Sequence, residues 1–507
     1  AVGEAEAEIM LGHIVLAQDP GMTDAINGAI DGGTCAEQAL VDASTMFENM
    51  FLSMDDEMFR LRAADIADIR TGILAELLGV EVVDLSVLPE NTVVVVHDLT
   101  PSMTATIDKK NVAGIVTETG GRTSHSAIIA RALEIPAVLS VANSCSALRN
   151  GMTAIVDGSD GVVISEPDAD VLAKYTAMAE EFAAEKAALE AFRGKETVTA
   201  DGIKKILACN IGSPDDVANA LDHDAEAIGL FRSEFLFMDA TELPSEEEQF
   251  QAYRKVLMTY GSRPVILRTL DIGGDKPLDC LDIPKEDNPF LGNRALRLCF
   301  QHPDMFRTQL RASLRASVYG NLWLMFPMVA SMDDIRRAKS CLESAKAELT
   351  AEGIPFSPDL KVGIMVEIPA IAFLADQAAR EVDFASIGTN DLTQYLTAVD
   401  RGNPEVRAYY QTYHPSLFRL IGYVVRSFAA QGKPVGVCGE MGGDPLAAAV
   451  LIGLGMRQLS MGAASVASIK QMILSTSCET AKALAETVCG LSTADEVRKY
   501  LKEHIDL

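Results

Sequence analysis

The chain has 507 residues, 48% of them hydrophobic, enough for two to four domains with sizeable cores. A net charge of −29 argues against nucleic acid as a partner, and the longest apolar run, residues 446–456, is too short to cross a bilayer. Nine cysteines without a CxxC pair argue against a zinc site or a disulfide framework and point to reduced thiols in a cytoplasm.

Residues 1–80 read as helices. EAEIMLGHIVLAQ, AEQALVDASTMFENMFLSM and RLRAADIADIRTGILAELLG place apolar residues three and four apart. The first 84 residues hold 17 Asp or Glu against three Arg and no Lys, a net of −14. That is a solvated helix surface or, more sharply, a docking face for a small basic partner.

From residue 92 the period changes to strands. TVVVVHDL, AGIVTE, PAVLSV, TAIVDG and GVVISEP are short apolar runs, the last two forming a hairpin around DGSDG. Among them GGRTSHSAII, residues 120–129, stands between a strand pattern and a helical one. His125 is thereby expected in the first turn of a helix. Free backbone N–H groups there favour phosphate, and the same field keeps the imidazole neutral and nucleophilic. On this stretch alone, a histidine that only makes a turn hydrogen bond is the commoner case, since glycine-rich strand-to-helix turns are common.

Residues 168–192 form one long Ala-, Glu- and Lys-rich helical pattern, a rigid or hinged connector. After residue 200 come eight apolar runs: KILACNIG, AIGLFRS, PVILRTLD, NLWLMFPM, KVGIMVE, FASIGTN, PVGVCGE and QLSMG. Their alternation with helical patterns suggests a (β/α)₈ barrel, although other parallel α/β folds share the pattern. In a barrel the C-terminal strand ends converge on one face. Here those ends carry Arg232, Arg268 with Asp271, Glu367, Asn390 with Asp391, and Cys438 with Glu440. Arginine forks grip phosphate or carboxylate, Glu367 and Asp391 are hard oxygen ligands suited to Mg²⁺, and a thiol can transfer a proton. Arg294 and Arg401 add positive charge. Each residue alone also fits a salt bridge, a solvated carboxylate or a buried thiol; their coincidence on one face is what argues for a site.

The motifs GGRTSHSAIIAR, GLFRSEFLFM, RTLDIGGDKPL, NPFLGNRALR, MVEIPA, SIGTNDLTQY, AVDRGN and VCGEMGGDP, in this order, resemble enzyme I of the bacterial sugar phosphotransferase system, a phosphoenolpyruvate–protein phosphotransferase. The resemblance implies a helical carrier-docking subdomain over 1–84, an α/β phosphohistidine domain over 85–167, a linker helix over 168–198 and a (β/α)₈ TIM barrel over 199–507. It implies His125 as the phosphoryl acceptor and Cys438 as the acid that protonates the pyruvate enolate. It further implies Arg232, Arg268, Arg294, Asn390, Asp391 and Arg401 as substrate contacts, and Glu367 and Asp391 as Mg²⁺ ligands. The implied partners are phosphoenolpyruvate, the phosphocarrier HPr and a second copy of the chain joined through the barrel, with no membrane. The chain starts at Ala1, which leads us to expect that the family's first strand and helix are missing. The rivals are a pyruvate phosphate dikinase or phosphoenolpyruvate synthase type of enzyme, against which stands the lack of a P-loop pattern, and a silent carrier-binding relative.

Overall fold

The computed structural model describes residues 16–505 apart from 53–56, 80–84, 100–102, 104–106, 108–109, 121–129, 131–134, 239, 241, 274–280, 282 and 285. Its contacts divide the chain into two compact units, 1–184 and 185–507.

In the first unit, helices Pro20–Asp31, Ala36–Leu52 and Glu57–Leu78 are followed by three parallel strands, β1 (Thr92–Val96), β2 (Val112–Thr117) and β3 (Ala137–Val138). Met22, Leu40, Ala43, Ile66 and Ile69 are buried, whereas Met46, Met50, Ile73 and Leu77 are exposed, so only part of the apolar pattern faces inward. The helix Pro20–Asp31 is absent from the periodicity reading. One signal lies in its first turn: Asp19 caps it by accepting from the Met22 N–H at 3.1 Å, and Pro20 stands where its missing N–H costs nothing. The predicted EAEIMLGHIVLAQ helix lies, up to residue 15, outside the described residues.

β4 (Ala154–Asp157) and β5 (Val162–Ser165) form the expected antiparallel hairpin. Asp157 Oδ1 accepts from the backbone of Ser159 and Asp160, and Gly161 supplies the positive φ of +69° that closes the turn. The pair packs closely on the three-stranded sheet: a methyl added at Gly114 of β2 would come within 2.9 Å of the Val156 side chain. A single helix, Ala169–Glu190, then spans the predicted connector.

In the second unit eight parallel strands close into a barrel: β6 (Ile206–Ile211), β7 (Ala227–Arg232), β8 (Pro264–Arg268), β9 (Asn321–Phe326), β10 (Lys361–Val366), β11 (Phe384–Gly388), β12 (Val435–Cys438) and β13 (Gln458–Met461), which pairs back on β6. All eight coincide with the apolar runs of the sequence. Alternate residues of one strand serve different cores. On β8, Val265 and Leu267 join the large core shared with the outer helices. Ile266 between them joins Leu230, Met325, Met365, Phe384 and Cys438 in a separate interior cluster. Capping boxes start the helices at Ser245, Ser331 and Thr493, each taking a backbone N–H three residues on. Among the described residues no helix is long and apolar enough to cross a membrane.

Candidate active site

The strand ends predicted to converge do so through a run of ion pairs. Arg268, the last residue of β8, pairs with Glu234 and, at 2.7 Å, with Asp271. Asp271 also takes both Arg294 Nη2 and Arg294 Nε, at 2.9 and 3.2 Å from its Oδ1. Arg294 Nη1 continues to Asp391 Oδ1 at 3.3 Å, and Arg401 approaches that same oxygen at 3.8 Å. The structure thus links Arg268, Arg294, Asp391 and Arg401 in one chain of charges drawn from four separate segments. Arg268, Asp271, Glu234, Arg294 and Asp391 are all buried. Burial alone would lower both guanidinium pKa values, but Asp271 acts on both, with Glu234 beside Arg268 and Asp391 beside Arg294, and raises them above the usual arginine value.

Two findings differ from expectation. Arg294, expected on the substrate side, has its guanidinium engaged by Asp271, Asp391 and the Tyr395 hydroxyl. Glu234, absent from the sequence reading, is a buried partner of Arg268. In SEFLF it stands on a short 3₁₀ turn directly after β7 and reads as an ordinary surface glutamate. Only barrel closure turns it inward.

Glu367 follows β10. One of its oxygens, Oε1, accepts from the Met328 N–H at 2.6 Å; the other, Oε2, is buried without a partner. Burial raises its pKa to about 8, and the like charges of Asp391 and Asp271 add to that effect. A buried carboxylate oxygen without a partner among the described residues, near other carboxylates, is a group that a hard cation would complete. Among the described residues no set of three or more His, Cys, Asp or Glu is grouped for a metal; two carboxylates plus substrate oxygens are what Mg²⁺ commonly takes.

Arg232 ends β7 and is exposed at the barrel mouth, with no ion pair among the described residues. Desolvation by the surrounding barrel mouth, then the neighbouring Arg268, push its pKa down. Cys438 ends β12, fully within the interior cluster. Burial pushes its thiol up to about 11, so it carries its proton at neutral pH. The Ser386 hydroxyl donates to Cys438 Sγ at 3.2 Å.

Asn390 and Asp391 open the helix Thr389–Thr397, beside Gly439. Gly439 has φ +152°, and a methyl there would meet Thr389 Oγ1 at 2.3 Å. Gly439→Ala is therefore expected to cost about 1–3 kcal/mol and to push the Asn390–Asp391 turn out of place. Thermal unfolding together with phosphoenolpyruvate turnover checks this; an unchanged pair of values would show that the turn yields freely.

His125 lies outside the described residues. The strand before it is present: β2 ends at Thr117, whose hydroxyl donates to the Thr119 carbonyl at 2.5 Å, and Gly120 turns the chain with φ +98°.

Three family descriptions match the chain: the N-terminal domain of PEP-utilising enzymes over residues 1–62, their mobile domain over 88–161 and their PEP-binding domain over 186–478. The chain is 48% identical over 507 residues to the phosphoenolpyruvate-protein phosphotransferase of Geobacillus stearothermophilus, covering all of this chain and 88% of that one. It is 46% identical over 503 residues to the protein of that name from Bacillus subtilis (strain 168), covering 99% of this chain and 88% of the relative. Among solved structures it is similar to the NMR solution structure of Enzyme I (nEIt), at 40% identity over 36% of this chain and 73% of that one, with a TM-score of 0.32. The expectation that the family's start is missing is not borne out, because the N-terminal family description is matched from residue 1. With its barrel, its strand-end residues and these matches, the chain belongs to the phosphoenolpyruvate-protein phosphotransferase family.

Proposed function

We propose that the chain moves the phosphoryl group of phosphoenolpyruvate to His125 and from there to the carrier HPr, the opening step of phosphotransferase sugar uptake. The observation that carries this reading is the meeting of an unpaired arginine, a buried arginine–carboxylate chain, an orphaned glutamate oxygen and a protonated thiol at one end of a closed barrel. Every member matches a need of the reaction. Arg232 and the Arg268 guanidinium, whose Nε–H is buried without an acceptor among the described residues, supply donors for an anionic substrate. Asn390 and Arg401 stand beside Asp391 as further contacts. Arg294 positions Asp271 and Asp391.

Glu367 and Asp391 would hold a divalent cation, Mg²⁺ on this reading, which when bound neutralises phosphate charge. The ester P–O bond of phosphoenolpyruvate breaks as an N–P bond forms at the neutral imidazole of His125. The electron pair left on the enolate takes the proton of Cys438 at carbon, giving pyruvate. Phosphoryl transfer asks for positioning and charge neutralisation rather than covalent help, and the barrel mouth offers both. A second copy of the chain, joined through the barrel, and a cytoplasmic setting complete the proposal. All eight described cysteines are free, in keeping with that setting.

Incubation with phosphoenolpyruvate and Mg²⁺, with mass mapping of acid-labile phosphate and assay of pyruvate, tests the whole reading. Cys438→Ser tests the acid: a serine hydroxyl is a much poorer proton donor of similar size. Substrate binding is expected to persist while pyruvate release falls roughly 10²-fold or more. Unchanged release would assign the proton to another group.

A further inference from the structure

The barrel has a second opening, at the N-terminal ends of its strands; among its lining residues Ser386 also donates to Cys438 Sγ. A cavity of about 300 Å³ lies there, walled by Ile266, Trp323 and Phe384, with Lys361 and Arg457 at its edge. Lys361, Phe384 and Val435 are the first residues of β10, β11 and β12, which places it at the opposite end from Arg268, Gly388 and Cys438. An adjoining hollow of about 260 Å³ shares Val435 and Arg457 and adds Lys433.

The walls are aromatic and the rim is cationic. The Trp323 and Phe384 rings lie 5.0 Å apart at 53°, and the Lys361 ammonium sits 4.1 Å from the Trp323 centroid. Trp323 Nε1 donates to Asn321 Oδ1 at 3.0 Å, which fixes the indole. Lys361 and Arg457 are both exposed, and neither forms an ion pair among the described residues. They are two exposed cations on the lining of one apolar cavity. A pocket of this size, apolar within and carrying a few polar groups at the rim, is what a small ligand site requires.

We propose that this cavity binds a small aromatic carboxylate, its ring against Trp323 and Phe384 and its anionic group between Lys361 and Arg457. Trp323 is the chain's single tryptophan, so its fluorescence reports on this end of the barrel alone. The full chain is titrated with benzoate, with benzyl alcohol and with inorganic phosphate. Benzoate is expected to change the emission saturably, benzyl alcohol to bind roughly tenfold more weakly, and phosphate to leave the signal unmoved. Lys361→Met and Arg457→Met, exposed positions whose variants are checked for folding by circular dichroism, should each weaken benzoate by roughly tenfold. Arg232→Ala should not alter it. Equal affinity for benzoate and benzyl alcohol, a saturable response to phosphate, or unchanged affinity in both methionine variants overturns the proposal. So does loss of the benzoate response in Arg232→Ala, which would place the anion at the other mouth.

Discussion

Glu367→Gln is expected to lower phosphoenolpyruvate turnover by about 10³-fold or more while making the chelated protein harder to unfold. The two effects have one origin. Glu367 is buried with Oε2 unpartnered and other carboxylates nearby, so its ionised form is costly until a cation arrives. Its folded pKa, about 8, stands above the ordinary 4.5. The cost is absent below the ordinary value, grows as pH rises and is complete above about 8. Glutamine retains an oxygen for the Met328 N–H and cannot ionise. In the presence of a chelator the variant should therefore gain about 1–3 kcal/mol at pH 8, and the gain should shrink towards pH 5. Thermal unfolding at the two pH values, beside a pyruvate assay with Mg²⁺, measures both halves. A variant less stable than the parent at pH 8 would show that the glutamate is already compensated.

His125→Ala should leave no acid-labile phosphate on the chain, with pyruvate formation falling to background. The barrel, which has its own core, should remain folded and retain phosphoenolpyruvate. Calorimetric binding of phosphoenolpyruvate and mass mapping separate the two outcomes. Phosphate found on any other histidine would refute the assignment.

The barrel was legible because parallel strands covered on both faces are continuous apolar runs, and all eight runs became strands. The strand-end residues were legible for a related reason: a charged residue closing such a run has nowhere to go but the barrel mouth. What escaped was whatever depends on closure. The pairing of Glu234 with Arg268 spans 34 positions and that of Arg294 with Asp391 spans 97, and no local pattern encodes either. The fork of Arg294 looked available to a ligand because Asp271 precedes it by 23 residues in the sequence. Just after Arg294, Ala295 takes φ +54° and its N–H bonds to the Ile272 carbonyl at 2.9 Å. The helix Pro20–Asp31 carries its own stripe, Met22, Ala25, Ile26, Ala29 and Ile30, beside its cap and proline, and escaped although its pattern is helical.

The closing strand has a consequence for how the chain comes into being. Lys205 Nζ reaches the Met456 carbonyl at 3.0 Å and the Ser460 hydroxyl reaches Asn210 Oδ1 at 2.7 Å, partners 251 and 250 residues apart. During synthesis β6 emerges first and waits for β13. At ordinary rates of translation that interval lasts on the order of tens of seconds, with an unpaired apolar edge open to other nascent chains. The barrel is thus a structure that the ribosome completes late. A message cut short before residue 458 would lack the strand Gln458–Met461 and is expected to leave that sheet edge open to association.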